Sequence, residues 1–313
     1  GTLLVDNGST FTLEQKGALT IGTNASFLVN TAGTAKAHLL NLYGNVENNG
    51  TLNLNPGSGK YADIYFKGTT NQTFAGTGTT KLNRVYVDKG TNQTPLVDVT
   101  ADQFTMNTST GQALFINNGT IRFSGASLNL TLTTNTTFSI PATGCLSVNG
   151  STVTMGSAAD NGADLLLSGK LEVRAGTMNI GAAANNTHND IEYATAGTPE
   201  VAVTGGTLNV NGQIRRSTTI ATGNLTYRQT GGDVYIYGKN RDANQIKRAL
   251  LEVLNTGSFI TSGGNLRLVQ GVTSGETNNT FGELYLNPAT STVTGGTIVT
   301  GTSATGATTN YFN

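Results

Sequence analysis

The sequence predicts an all-β protein, specifically an elongated parallel β-helix or β-solenoid with short loop excursions. Short phrases in which every second residue is apolar follow a glycine, as in Gly169-Lys-Leu-Glu-Val and Gly176-Thr-Met-Asn-Ile. This alternation is typical of half-buried strands. The phrases follow one another too closely for a crossover helix to fit between them. Glycine, which supplies 41 of the 313 residues, punctuates the strands together with asparagine, as turns require.

The same phrase is repeated along most of the chain. It begins at Gly17, Gly50, Gly119, Gly144, Gly206, Gly264 and Gly296. Parallel strands joined without helices produce a chain that coils on itself, with about 20 to 30 residues per coil. An antiparallel sandwich is the alternative, but it should show more two-residue hairpin turns between matched strands. We expect residues 1–313 to form a single elongated solenoid segment of a longer protein, with a subdivision near 156–199 as an alternative.

The individual strands can be assigned in chain order from their alternating apolar residues. They include 3–5, 11–13, 19–21, 27–29, 39–43, 96–99, 114–116, 121–123, 128–132, 138–140, 146–148, 153–155, 201–203, 208–210, 225–227 and 234–236. Pro141 ends one of them, where its missing N–H is tolerated. Residues 242–254 alone have some helical character, although their end fits a strand equally well.

Composition excludes several classes of function. Charged residues make up 12% of the chain and balance to zero, so no basic stripe is present to bind nucleic acid or an anionic membrane. No apolar run approaches the roughly 20 residues that span a bilayer. One cysteine and two histidines argue against a zinc-type cluster, and Cys145 has no second cysteine for a disulfide. We therefore expect no metal and no cofactor.

Residues 61–90 carry a distinct set of motifs. These are Ile64-x-Phe66-x-Gly68, then Gln72-x-Phe74-x-Gly76-x-Gly78, then Leu82-x-x-Val85-x-Val87. The set resembles the repeats of very large surface proteins of gliding and related Bacteroidetes bacteria, which the type IX secretion system exports and which include the mobile adhesins of gliding motility. The resemblance implies a secreted, cell-surface, β-rich repeat region, attached to the outer membrane through its parent protein.

This resemblance also implies a function and a set of partners. The function is cell adhesion, with attachment to surfaces or glycans. The partners are surfaces or polysaccharide, neighbouring repeats of the same large protein and the secretion machinery, without nucleic acid and without membrane insertion. Catalysis is not expected.

Strand parity predicts a set of outward aromatic and basic side chains as candidate ligand-binding residues. Rigid amphipathic rings at Tyr65, Tyr86, Tyr235, Tyr237 and Tyr285 could stack on sugars or anchor a protein partner. A basic cluster, which could bind an acidic polysaccharide, includes Arg215, Arg216, Arg228, Lys239 and Arg241. The alternative is that these tyrosines only cover neighbouring side chains and that the cluster is a solvated face.

Two other classes of function remain open. A carbohydrate-active β-helix enzyme, either a lyase or a glycosidase, would need clustered carboxylates. Several pairs are close in sequence, namely Asp98 with Asp102, Asp160 with Asp164, Asp190 with Glu192, and Asp233 with Asp242. We expect none of them to recur at matching register on an adjacent coil. Ice binding is the less favoured class, because the Thr-x-Thr triplets at Thr131 and Thr292 do not fall at a fixed coil spacing.

Overall fold

The fold is a parallel β-solenoid, as the sequence predicts. The structure is a computed structural model that describes residues 1–109, 111–156, 163–181, 188–193, 196–217, 222–239, 249–269 and 283–300. Within these ranges all of the regular secondary structure is β-strand, and consecutive coils stack through parallel strand pairing. The chain divides into two compact units: Gly1–Thr133 with Thr143–Val153, and Thr134–Ala142 with Thr154–Asn313. The expectation of one continuous segment stays a prediction.

The first unit is built from three stacks of short strands. Its strands are β1 (Thr2–Val5), β2 (Thr12–Gln15), β3 (Leu19–Ile21), β4 (Ser26–Val29), β5 (Ala37–Leu42), β6 (Val46–Asn48), β7 (Thr51–Asn53), β8 (Tyr61–Gly68), β9 (Gln72–Ala75), β10 (Thr79–Leu82), β11 (Val85–Lys89), β12 (Leu96–Val99), β13 (Thr105–Met106), β14 (Leu114–Phe123), β15 (Asn129–Thr133) and most of β17 (Gly144–Met155). The stacks run β1-β4-β7-β10-β13, β2-β5-β8-β11-β14, and β3-β6-β9-β12-β14-β17.

The second unit repeats this plan with longer strands near its end. Its strands are β16 (Phe138–Ile140), β18 (Leu165–Leu167), β19 (Lys170–Ile180), β20 (Ile191–Tyr193), β21 (Glu200–Val203), β22 (Thr207–Val210), β23 (Ile214–Arg216), β24 (Thr226–Gln229), β25 (Asp233–Ile236), β26 (Leu251–Leu268) and β27 (Leu284–Thr300). Three stacks form from these strands: β16-β18-β20-β23-β26-β27, β19-β21-β24-β26-β27 and β19-β22-β25-β26-β27.

Alternate residues of each strand point into the coil and form apolar columns. In the first unit, Leu40, Ile64, Val85 and Leu114 occupy successive register positions, and none of them is more than 2% exposed. In the second unit Leu171, Val201, Tyr227 and Phe259 do the same and are completely buried. Stability therefore comes from like layers stacked on like layers rather than from a single large core.

In the second unit, glycines that open the phrases lie at a tight corner. Gly232 has a φ of +69°, and a β-carbon built on it would lie 2.6 Å from the carbonyl oxygen of Gly206 one coil earlier. A side chain at that position would meet both a strained backbone and the neighbouring coil. The same corner holds a column of left-handed glycines: Gly176, Gly206, Gly232, Gly264 and Gly296.

Coil length varies more than the sequence suggests. Hydrogen bonds between neighbouring coils join residues 20 positions apart at Asp63 and Asn83, but 36 positions apart at Gln213 and Ala249. Of the segment with helical character, Leu251–Leu254 belong to strand β26, and residues 242–248 lie outside the described residues. Among the described residues there is no helix long and apolar enough to cross a membrane.

Candidate functional site

The predicted tyrosines of the first unit belong to a column of three stacked rings. Tyr65 on β8 and Tyr86 on β11 lie with ring centroids 4.2 Å apart and planes 1° apart. Tyr86 stacks in turn on Phe115 of β14, at 4.6 Å and 10°. Sequence reasoning missed Phe115, although it has the outward parity between buried Leu114 and Ile116 that singled out the tyrosines.

This stacking decides what the column can offer to a ligand. Both faces of the Tyr86 ring are covered by its neighbours, so that ring presents its edge and its hydroxyl rather than a face on which a sugar could stack. Lys67 Nζ lies 5.2 Å from the Tyr65 ring centroid and 2.5 Å from Asp88 Oδ2. Burial, followed by the neighbouring Tyr86, raises the pKa of Tyr65 to about 12. The column is therefore a rigid, uncharged strip beside an ion pair.

The predicted tyrosines of the second unit lie in two separate places. Tyr235 is on β25 and Tyr237 directly follows that strand, with ring centroids 6.1 Å apart. The guanidinium of Arg267 lies 5.7 Å from the Tyr235 ring, and Lys239 Nζ lies 4.8 Å from the Tyr237 ring. Tyr285 is on β27 in another stack, where its register partner is Glu252, so it does not join the other two.

Arg215, which was expected in a surface cluster, is instead buried at the centre of a charged network. It is 2% exposed. Its Nε donates to Asp190 Oδ2 at 2.5 Å, and its Nη1 lies 3.0 Å from Glu192 Oε2. Asp164 Oδ2 lies 3.9 Å from its Nη2. Because three carboxyl groups surround this buried guanidinium, Arg215 is not available to pair with an outside ligand.

The rest of the predicted basic cluster is also dispersed or paired. Arg216 Nε lies 3.6 Å from Glu252 Oε2, and Arg228 Nε lies 3.4 Å from Glu200 Oε1. Lys239 Nζ donates to Asn211 Oδ1 at 3.4 Å, and burial lowers the pKa of Lys239. Arg241 lies outside the described residues. The structure thus shows no single basic patch among the described members of this cluster.

His188 completes the network around Asp190. Its Nδ1 lies 2.9 Å from the carbonyl oxygen of Lys239, and its Nε2 lies 2.9 Å from Asp190 Oδ2. A carbonyl and a carboxylate both accept hydrogen bonds, so both ring nitrogens donate and the imidazole is a cation. Burial alone would lower the pKa of His188, but the hydrogen bond and charge of Asp190 outweigh it and raise that pKa.

Asp164 and Asp190 do recur at matching register, contrary to expectation. They precede Leu165 and Ile191, which are register partners on adjacent coils, and the Asp190 backbone N–H donates to Asp164 Oδ1 at 2.8 Å. Burial, then the charge of Asp190, raises the pKa of Asp164 to about 7. Burial opposes ionisation of Asp190 as well, but His188 and Arg215 lower its pKa. The sequence signal for this pairing was a pattern that both coils share, in which an Asp precedes a three-residue strand with apolar residues at its two ends.

The burial of these groups limits what they can do chemically. Asp190 is completely buried and cannot contact a substrate, whereas the side chains of Asp164 and Glu192 are 16% and 18% exposed. No group of three or more His, Cys, Asp or Glu side chains in the described ranges has an arrangement that could hold a metal ion. The network is first of all a set of internal ion pairs between neighbouring coils. Comparisons with protein-family models, curated proteins and solved structures found no match to this chain.

Proposed function

We propose that this chain is a non-catalytic, adhesive segment of a secreted cell-surface protein of the gliding-adhesin type, which attaches to surfaces or glycans. The single observation that supports this proposal most strongly is the ordered outer face of β8, β11 and β14. There the Tyr65, Tyr86 and Phe115 rings, and beside them the Lys67–Asp88 ion pair, are fixed coil by coil by strand register. A surface that is already rigid loses little conformational entropy on binding.

The resemblance of residues 61–90 to type IX-exported adhesin repeats supports the same proposal, because these residues form β8 to β11. In this proposal the segment acts at the cell surface, held to the outer membrane by its parent protein. Its partners are polysaccharide or solid surfaces and neighbouring repeats of that protein.

The proposal can be tested by attachment under flow. Beads carrying the chain at a defined density should be retained on glass or polysaccharide films better than beads carrying albumin, and soluble chain should compete. The Y65S/Y86S variant should reduce retention, whereas L166S, which changes an exposed residue of β18, should not. Retention at the albumin level on every film would contradict the proposal.

A carbohydrate-active enzyme is the second candidate function, and it is favoured by the raised pKa of Asp164, which lies against the same guanidinium, that of Arg215, as the partly exposed Glu192. A carboxyl group that holds its proton near neutral pH is what a general acid requires. Release of reducing ends from a polysaccharide by the wild-type chain, lost in both D164N and E192Q, would support this function. Equal release by the wild type and both variants would contradict it.

A further inference from the structure

A polar groove lies at a corner of the first unit, where the turns after β7, β10 and β13 stack. Its volume is about 420 Å³, within the roughly 300–1,000 Å³ that small-molecule sites occupy. Asn55, Asn83 and Asn107 follow these strands at one corner position, and residues 57–59 of the following turn form one wall. A second recess, which shares Asn55, Lys81 and Asn107 with the first, extends it along the corner.

Two cations line this groove without a salt bridge to any residue that the structure describes. They are Arg84, which is half-buried, and Lys81, which is exposed. The guanidinium carbon of Arg84 lies 5.8 Å from the Phe115 ring centroid, and its buried Nε has no hydrogen-bond partner among the residues that the structure describes. By contrast, Arg122, Arg215 and Arg228 each lie within 4 Å of a carboxylate.

The acidic group that neighbours Arg84, Asp63, forms no salt bridge with either cation. Asp63 is buried, and its Oδ1 accepts from Asn83 Nδ2 at 2.7 Å and from the backbone N–H of Arg84 at 3.2 Å. Burial raises the pKa of Asp63. The guanidinium donors of Arg84 thus remain available at the groove.

The neutral groups of the groove suit a hydroxylated ligand. The side-chain amide of Asn55 makes no hydrogen bond with a described residue, whereas Asn107 Nδ2 donates to Asn83 Oδ1 at 3.0 Å. Ser109 and the half-buried ring of Tyr61 complete the wall. Amides, a hydroxyl and a single aromatic ring bind sugar hydroxyls and ring faces, but they offer no apolar pocket for a peptide side chain.

We propose that this groove binds a uronic acid residue of an acidic polysaccharide, with its carboxylate held by the fork of Arg84 and steered by Lys81. A planar guanidinium matches a carboxylate with two parallel hydrogen bonds. The Asn55 amide and the Tyr61 ring then contact the sugar itself. This inference rests on the proposed attachment function and specifies its ligand class.

The test uses isothermal titration of the full chain with trigalacturonate. Neutral methyl-esterified trigalacturonate and poly-L-glutamate serve as the other two ligands. We expect trigalacturonate to bind, and R84Q to weaken its binding on the order of 10- to 100-fold. R84K should fall between the two, because it keeps the charge without the fork. R228Q, which removes an already paired arginine of the second unit, should bind like the wild type.

Several results would overturn the inference. They are absence of trigalacturonate binding, equal binding by R84Q with an unchanged unfolding midpoint, and binding of the methyl ester or of poly-L-glutamate as tightly as trigalacturonate. If R84Q alters folding, K81Q decides, since it should still weaken binding and lessen its dependence on salt. Bead retention without trigalacturonate binding would reject this site and leave the proposed function standing. Trigalacturonate binding without bead retention would support this site and reject the proposed attachment function.

Discussion

Arg215 and Asp190 face each other across two adjacent coils of the second unit, joined at 2.5 Å between Nε and Oδ2, and neither is more than 2% exposed. Strand register makes this contact possible, because Ile191 and Ile214 are partners on β20 and β23. The pair adds a buried charged contact to the backbone ladder and the apolar columns that join these coils.

Replacing Arg215 with methionine should destabilise the second unit by about 3–5 kcal/mol, because Asp190 would remain buried without its guanidinium partner. Urea unfolding followed by circular dichroism would measure this loss. The matched control is R228M, which removes the partly exposed pair with Glu200 and should change stability by roughly 0–1 kcal/mol. Similar small shifts for both variants would show that the buried network contributes little.

The stability of the second unit should fall as pH rises from about 4 to about 7. In the folded chain Asp164 has a pKa of about 7 against an ordinary value of 3.8, so the folded state holds the proton more tightly than the unfolded state. Stability from this proton is complete below the unfolded pKa and is lost as pH rises through the folded pKa. The raised pKa of His188 adds a loss in the same direction above pH 6.5.

D164N is the variant that isolates this effect, because asparagine resembles the protonated carboxyl and cannot ionise. Unfolding midpoints measured between pH 4 and pH 7 should therefore be flatter in D164N than in the wild type. Parallel profiles for the two proteins would mean that Asp164 does not titrate in this range.

Truncation of Tyr86 should destabilise the first unit by on the order of 1–3 kcal/mol, since Y86A removes two ring contacts worth about 0.5–1.5 kcal/mol each. Y86F keeps both stacks and should lie close to the wild type. The urea midpoint of each variant would test this. Equal losses in Y86A and Y86F would assign the effect to the hydroxyl instead of to the stacking.

The first unit should become more stable between pH 8 and pH 10 because of Lys89. This lysine is completely buried, donates to Gln72 Oε1 and to the carbonyl oxygen of Lys67, and has a pKa that burial lowers to about 8. Its pKa in the unfolded chain is 10.5, so the folded state disfavours the ammonium and gains stability as pH rises above 8. The gain should be on the order of 1–3 kcal/mol.

K89M removes this titration and should abolish the rise, whereas K81M, at an exposed lysine, should keep it. Denaturation midpoints at pH 7.5, 8.5 and 9.5 would be sufficient to compare the three proteins. A rise of equal size in K89M would assign the pH dependence to other groups.

The parallel coiling and the outward parity of Tyr65, Tyr86 and Tyr235 could be predicted because a strand alternates its faces strictly and each phrase keeps that alternation. The residues that meet between neighbouring coils could not be predicted, because strand register depends on coil length. Gln213 contacts Asp190, 23 positions earlier, and Ala249, 36 positions later. The Asp164–Asp190–Arg215 network was missed for this reason. The groove at Arg84 was missed because turns from three different coils form it.

The glycine column at the phrase corner bears on how such a chain can change its length. Gly232 contacts the backbone of Gly206 one coil away, and Gly264 stands in the same relation to Gly232. Because the corner position requires glycine in each of these coils, a gene segment that encodes one whole coil could be duplicated or deleted. The new junction would again join a glycine to an alternating strand. The number of coils in the solenoid could then change without a change in its corners.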